Sequence, residues 1–340
     1  MHRITCRFAP VALALAALGT FPGGPGPRAA RCQVLHLAEL NTEQIRALDR
    51  KTTVVLIPGG ILEQHGPYLP SYTDGYWNER LTRDLAAAIA ARPGWTAVIF
   101  PAVPLGAHGA NVIGGKFSFP GTYAVRPATL RAVFMDLATE FGEQDFRWLF
   151  VVHGHGGIGH NRALDDAGDY FRDVYGGHMV HLLGLRPGPS AVDSVLESAV
   201  PGGQRAEDGF TVHAGLVEHS TVMALRPTLV PPSIADARSV TGRNFSDLRR
   251  IAASSDWRGY FGAPRYANAE LGRRLMEAEH QQYIALALRI LDGVDERKVP
   301  RLAALRSQNP DIALVTRSSA ARDSTEERRQ REWLARRAPR

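Results

Sequence analysis

At 340 residues, 44% hydrophobic and 22% charged, the chain has globular composition and is long enough to bury a large core in one large domain or two. Its net charge of +6 is terminal, because residues 1–35 and 317–340 each carry +4 and leave −2 between them. That distribution argues against a basic face for nucleic acid on the globular part, and two cysteines, Cys6 and Cys32, are too few for a disulfide scaffold.

The N-terminus joins Arg3 and Arg7 to the apolar stretch from Val11 to Leu18, then to small residues, glycines and prolines as far as Ala30. This is the pattern of a secretory signal peptide, so residues 1–30 are expected to be removed on export to the periplasm or beyond. Cleavage leaves Cys32 as the single thiol and hence no internal disulfide. No later segment reaches 18 consecutive apolar residues, and no stable membrane span is expected after cleavage.

A single domain is expected over residues 35–297. The run from Thr53 to Pro58 reads as a buried strand, and Asn78 to Ala91 as a helix with Leu81, Leu85, Ala88 and Ile89 at helical spacing. A second strand, Thr96 to Phe100, runs into a long glycine-bearing loop, Leu105 to Gly121, that contains His108. From Pro127 the positions Leu130, Val133, Phe134, Leu137 and Phe141 mark an amphipathic helix. Strand Arg147 to Val152, helix Arg162 to Val174 and strand His178 to Leu183 follow. Residues 184–212 lack a clear period and read as a surface excursion over a site. A short helical pattern opens at His213 and stops before Pro227, and a long helix covers Asn268 to Leu291. The charged segment 298–340 reads as a disordered tail or a solvated helix. Alternating strands and helices predict an α/β fold, a three-layer α/β/α sandwich around a mainly parallel sheet.

Seven of the twelve histidines (His65, His108, His153, His155, His160, His213 and His219) fall in four glycine-bearing segments at strand ends or loops. Glu63 and His65 stand two apart beyond the first strand, so in extended chain their side chains share a side. Carboxylates and imidazoles without cysteine favour Zn, Mn or Fe. Two ions ~3.5–4 Å apart need a carboxylate that touches both. Asp74 is the candidate bridge, with Glu63 and His65 each serving one ion and His155 and Glu218 completing the two shells. Water held between such ions would lose a proton near neutral pH and attack a carbonyl carbon. Gly154 to Gly159 also fits the dinucleotide fingerprint, but no acidic residue lies between Val174 and Val192 to hold a ribose. The glycines are read instead as room for His155.

Together these segments resemble the creatininase family of metal-dependent amidohydrolases. The matches, in the family's order, are Glu63-Gln64-His65-Gly66 with Asp74, Phe119-Pro120-Gly121-Thr122, Gly154-His155-Gly156-Gly157, and His213-Ala214-Gly215 through Glu218, within about residues 50–230. The resemblance implies a metal centre, often dinuclear, at the carboxyl ends of the strands. By position it implies Glu63, His65, Asp74, His155 and Glu218 as ligands, and His213 as the group that moves a proton to the leaving nitrogen. It also brings homo-oligomers into view, since family members often form them. The chain departs from the pattern at His153 and Ile158, where the family usually has Asn, and at Gly157, where true creatininases carry Glu. His219 interrupts the usual Glu-Thr-Ser and is read as an extra ligand or a pocket residue. The expected activity is hydrolysis of a non-peptide or small cyclic amide C–N bond in a small molecule, with two divalent ions. The alternatives are a peptide-trimming or deformylating hydrolase on the same fold, and a metal-binding protein without turnover.

Overall fold

The computed structural model describes residues 33–337, and the expected export segment, residues 1–30, lies outside them. In chain order the first elements are β1 (Gln33–His36), α1 (Thr42–Arg46), β2 (Thr53–Pro58), α2 (Thr73–Ala90), β3 (Thr96–Ile99), α3 (Pro127–Glu143) and β4 (Trp148–Val152). Then come α4 (Ile158–Tyr175), β5 (His178–His181), α5 (Ala191–Ala199), α6 (Gly202–Asp208) and α7 (Leu216–Leu225). The chain continues through α8 (Phe245–Ala253), α9 (Ala269–Leu291), α10 (Leu302–Arg306) and α11 (Pro310–Ala335).

The five strands pair in the order β1-β3-β2-β4-β5, every pairing parallel. All six residues of β2 are buried, and its side chains alternate between two cores. Val54 and Leu56 pack with α2 and α9 on one face, against Leu81, Leu85, Leu286 and Ile290. Val55 and Ile57 pack with α3 and α4 on the other, against Leu130, Phe134, Leu164 and Phe171. A strand covered on both faces must be apolar throughout, which is why Thr53 to Pro58 reads as a continuous run and not as an alternation. The result is the three-layer α/β/α sandwich. After β2 the chain crosses toward β3 and after β4 it crosses the opposite way toward β5, so a crevice opens beyond the carboxyl ends of these two neighbouring strands.

Several elements differ from the sequence reading. α2 starts at Thr73, five residues before the expected Asn78, because Thr73 closes a turn on Pro70 through both its amide (3.3 Å) and its hydroxyl (2.7 Å). α4 likewise starts at Ile158, directly after the glycines. The surface excursion at 184–212 contains two helices, α5 capped by the Ser190 side chain and α6. β1, α1 and α8 were absent from the expectation, although α8 is strongly amphipathic and capped by Asn244.

The largest difference is the end of the chain. The segment 298–340, expected as disorder with a solvated helix as the alternative after about Arg317, folds over its described part into α10 and the largely exposed helix α11, so the helical alternative holds and the disorder does not. Asn309 caps α11, Arg249 pairs with Asp311 at 2.7 Å, His108 meets Asp323 at 2.8 Å, and Ser319 is buried. Tertiary pairing of this kind overrides a composition that favours solvent. Among the described residues no helix is long and apolar enough to cross a membrane.

Candidate metal centre

The segment between β2 and α2 folds back on itself. The Glu63 amide donates to the Ser71 carbonyl at 2.9 Å, and the turn at Thr73 then starts α2, placing Asp74 in its first helical turn beside His65. β4 delivers His155 from the neighbouring strand end, and the segment leading into α7 delivers His213 and Glu218. Ala214 has a positive φ of 49°, a conformation that turns the chain between these two side chains. Glu218 lies in the first turn of α7, and one of its oxygens accepts from the Ala214 amide at 2.5 Å. It therefore braces the chain entering the helix and faces the cluster as well.

All five expected ligands and His213 converge. Asp74 Oδ1 lies 3.3 Å from His65 Nε2, and Asp74 Oδ2 lies 3.2 Å from His155 Nδ1. Glu63 Oε1 is 3.1 Å from His155 Nδ1 and 3.8 Å from His213 Nδ1, while Glu218 Oε2 is 3.7 Å from His65 Nε2. Three sets of ligand-type atoms lie within 4.8 Å of one another: Glu63, Asp74 and His155; His65, Asp74 and Glu218; and Glu63, His65 and His213. Asp74 belongs to the first two and turns a different oxygen toward the histidine of each.

Each imidazole is oriented by the backbone. His65 Nδ1 faces the Glu63 carbonyl at 3.1 Å, His155 Nε2 the His108 carbonyl at 3.0 Å, and His213 Nε2 the Gln64 carbonyl at 2.6 Å. A ring nitrogen that donates to a carbonyl leaves the other nitrogen's lone pair free, and in all three residues that other nitrogen points at carboxylate oxygens. Buried His65 Nε2 makes no aligned hydrogen bond. Burial opposes a charge on His65, yet Asp74, Glu218 and Glu63 outweigh it and raise the ring to about 9. Burial opposes charge on His155 too, and Glu63 and Asp74 raise it well above the usual range. Burial pushes the Glu218 carboxyl up to about 7, and it lowers His213 to about 4 with help from neighbouring His65. Without ions, then, the cluster holds its negative charge by retaining protons on two of its histidines.

The family model for Creatininase (Creatinine amidohydrolase) matches residues 38–287. The chain belongs to the creatininase family. A relative from Mycobacterium ulcerans (strain Agy99), described as "Mycofactocin precursor peptide peptidase", is 29% identical over 275 residues, 76% of this chain and 94% of that protein. A protein of the same description from Mycobacterium tuberculosis (strain CDC 1551 / Oshkosh) is 27% identical, over 71% of this chain and 87% of its own length. Among solved structures, "Creatininase Mn" superposes with a TM-score of 0.55 at 20% identity, over 76% of this chain and 99% of that one. A mutant creatininase of "Zn-Zn type" gives 0.51 at 19% identity over the same shares. Both show the creatininase α/β fold in this chain.

Within this creatininase-family site, two of the departures from the family pattern, Gly157 and His219, have structural accounts. At Gly157, where creatininases carry Glu, an added Cβ would lie 2.9 Å from His155 Nε2 and 3.0 Å from the His108 carbonyl. The bare backbone lets that carbonyl reach the imidazole. His219 joins none of the ligand sets; it is fully buried, hydrogen-bonds the Gly215 carbonyl through Nδ1 at 2.9 Å, and sits beside Tyr68. One residue past Glu218 on a helix is a rotation of ~100°, which turns His219 away from the cluster. Sequence reasoning missed the role of Asn78, which it took for the first residue of α2. Asn78 donates to the Gly59 carbonyl at 2.7 Å and accepts from the Gly154 amide at 3.0 Å, tying together the ends of β2 and β4. No signal in the sequence marks it, because its partners lie 19 and 76 residues away.

Proposed function

We propose that this chain is a hydrolase that uses two divalent ions to open a non-peptide or small cyclic amide C–N bond in a small molecule. The observation that supports it most is the pattern of three imidazoles braced by backbone carbonyls and aimed at carboxylates, with the two oxygens of Asp74 serving different partners. Glu63, Asp74 and His155 would hold one ion, and His65, Asp74 and Glu218 the other. Oxygen and imidazole donors suit Zn, Mn or Fe, and the solved creatininases are described as Mn and Zn-Zn forms. When bound, such ions lower the pKa of a coordinated water and polarise a carbonyl.

The protein's own groups supply position and proton traffic. His213 lines the cavity with Nε2 held by the Gln64 carbonyl, so its Nδ1 is the atom available to pass a proton to the departing nitrogen. His213→Ala is expected to lower kcat by ~10²–10⁴-fold while ion content per chain stays unchanged. An unchanged kcat would remove His213 from the reaction, and loss of an ion would make it a ligand instead.

Metal loading should also release protons. His65, raised to about 9, and His155, raised above its usual range, both carry a proton at neutral pH and must give it up to bind an ion. Apparent metal affinity is therefore expected to rise with pH until pH passes about 9, with close to two protons released near pH 7.5, measurable with an indicator dye. Release of none at that pH would contradict the charge arrangement.

A second reading, peptide trimming, is favoured by the mycobacterial relatives described as precursor peptide peptidases. Turnover of linear peptides but not of small or cyclic amides would select it. Export to the periplasm or beyond belongs to the proposal through the Arg3 to Ala30 pattern, and the N-terminal sequence of the mature protein tests it.

A further inference from the structure

The ligand cluster occupies one wall of a cavity of about 320 Å³. Its far side is built from the turn after β5, from α9, and from α10 and α11, which bring Arg186, Glu279, Tyr283 and Arg306 to the same space. Arg306 lies outside the residues 38–287 that the family model matches.

The two arginines are fixed in place by neutral acceptors. Arg306 donates to the carbonyl of Gly156, the residue after His155, and a Cβ on Gly156 would sit 2.6 Å from the guanidinium nitrogen. Absence of a side chain there is what lets Arg306 come so near the cluster. Arg186 donates to the carbonyls of Leu183 (2.9 Å) and Leu185 (2.8 Å) and to the Tyr283 hydroxyl (2.8 Å). Among the described residues, neither guanidinium has a carboxylate oxygen within 4.0 Å. Glu279 faces the same cavity, but burial pushes its carboxyl up to about 7, so it offers only part of a charge at neutral pH. Burial, with Arg186 nearby, lowers Arg306 to about 10. Against the part-charge of Glu279 two partly buried cations remain under-compensated, repel each other and are poorly solvated, a state that a bound anion relieves. Guanidinium also presents a planar fork that matches a carboxylate.

We propose that Arg306 and Arg186 form an anion subsite, and that the substrate is an amide bearing a carboxylate, which this subsite holds while the C–N bond lies against the Glu63, Asp74 and Glu218 wall. The catalytic half of this statement rests on the hydrolase reading; the binding half does not.

The test is a ladder of N-acetylglycine, N-acetyl-β-alanine and N-acetyl-4-aminobutyrate, each paired with its carboxamide. Binding to the metal-loaded protein is measured by calorimetry and cleavage by amine release. At least one acid should bind ~10-fold more tightly than its carboxamide. Arg306→Met should abolish that preference and Arg306→Lys keep part of it, with ion content and thermal midpoint showing that both variants fold. Equal binding of acid and carboxamide at every length overturns the subsite. So does a preference that survives Arg306→Met, because the carboxylate is then held without the paired arginines, on Arg186 alone or on the ions. Binding that is acid-selective and Arg306-dependent but brings no cleavage keeps the subsite and rejects the hydrolase. Cleavage of carboxamides as fast as acids does the reverse.

Discussion

Asp74→Ala is expected to remove both ions and abolish turnover together. Asp74 is the only side chain shared by the two sets that would each hold an ion, with Oδ1 3.3 Å from His65 and Oδ2 3.2 Å from His155. Burial by itself would raise its carboxyl, yet hydrogen bonds and charge from His155 and His65 hold it well below the usual range, so it is ionised in the folded chain. Alanine leaves each set one donor short and leaves the two raised histidines facing less negative charge. Loss of ion-based charge stabilisation, worth several kcal/mol, should lower kcat/KM by ~10³-fold or more. Asp74→Asn, which keeps the shape and one good acceptor, is expected to retain at most one ion. Metal analysis by mass spectrometry alongside turnover checks both variants. An alanine variant that keeps two ions per chain would show that the carboxylate does not bridge.

Gly272→Ala should have the largest effect on stability that a single methyl can produce near the site. Gly272 lies on α9, where a Cβ would fall 1.9 Å from the Ser220 carbonyl oxygen and 2.4 Å from its carbon. These are backbone atoms of α7 and cannot rotate aside. The helices must separate, disturbing the packing of Leu216 against Leu271 and Leu275, at a cost of ~2–3 kcal/mol. Because α7 also carries Glu218, that separation should draw the carboxylate away from His65 and weaken metal binding. Gly203→Ala on α6, where a Cβ meets nothing within 4 Å, is the control and should be neutral or slightly stabilising. Chemical denaturation and metal titration of the two variants give the comparison. Equal stability of both would refute the close approach of α7 and α9.

What could be read from the sequence follows from where each residue finds its partners. β2 and α3 were plain because their burial is written in the segment itself: five apolar residues in a row after Thr53, and Leu130, Phe134 and Phe141 on one helical face. The cluster was legible because strand ends collect polar groups, and five ligand-type residues with glycines beside them are hard to explain otherwise. The start of α2 was not, since Tyr72-Thr73-Asp74-Gly75 looks like a loop until Thr73 meets Pro70. A solvated helix was one reading of the charged end, but the docking of α11 was not legible, because its contacts lie on distant side chains such as His108 and Arg249. Arg306 looked like any arginine in an arginine-rich end, and only the fold places it over Gly156. His219 shows the opposite error, a suggestive residue that the turn of a helix points elsewhere.

Every ligand-type atom of the cluster comes from residues 63–218, whereas part of the cavity's far wall is contributed by residues 302–319. The ligand cluster is thus complete by residue 218, while part of the wall that faces it arrives only with α10 and α11. A change confined to α10 and α11 would therefore reshape that wall without replacing any ligand-type side chain, although Arg306 on Gly156 and Asp323 on His108 tie these helices to the backbone around His155.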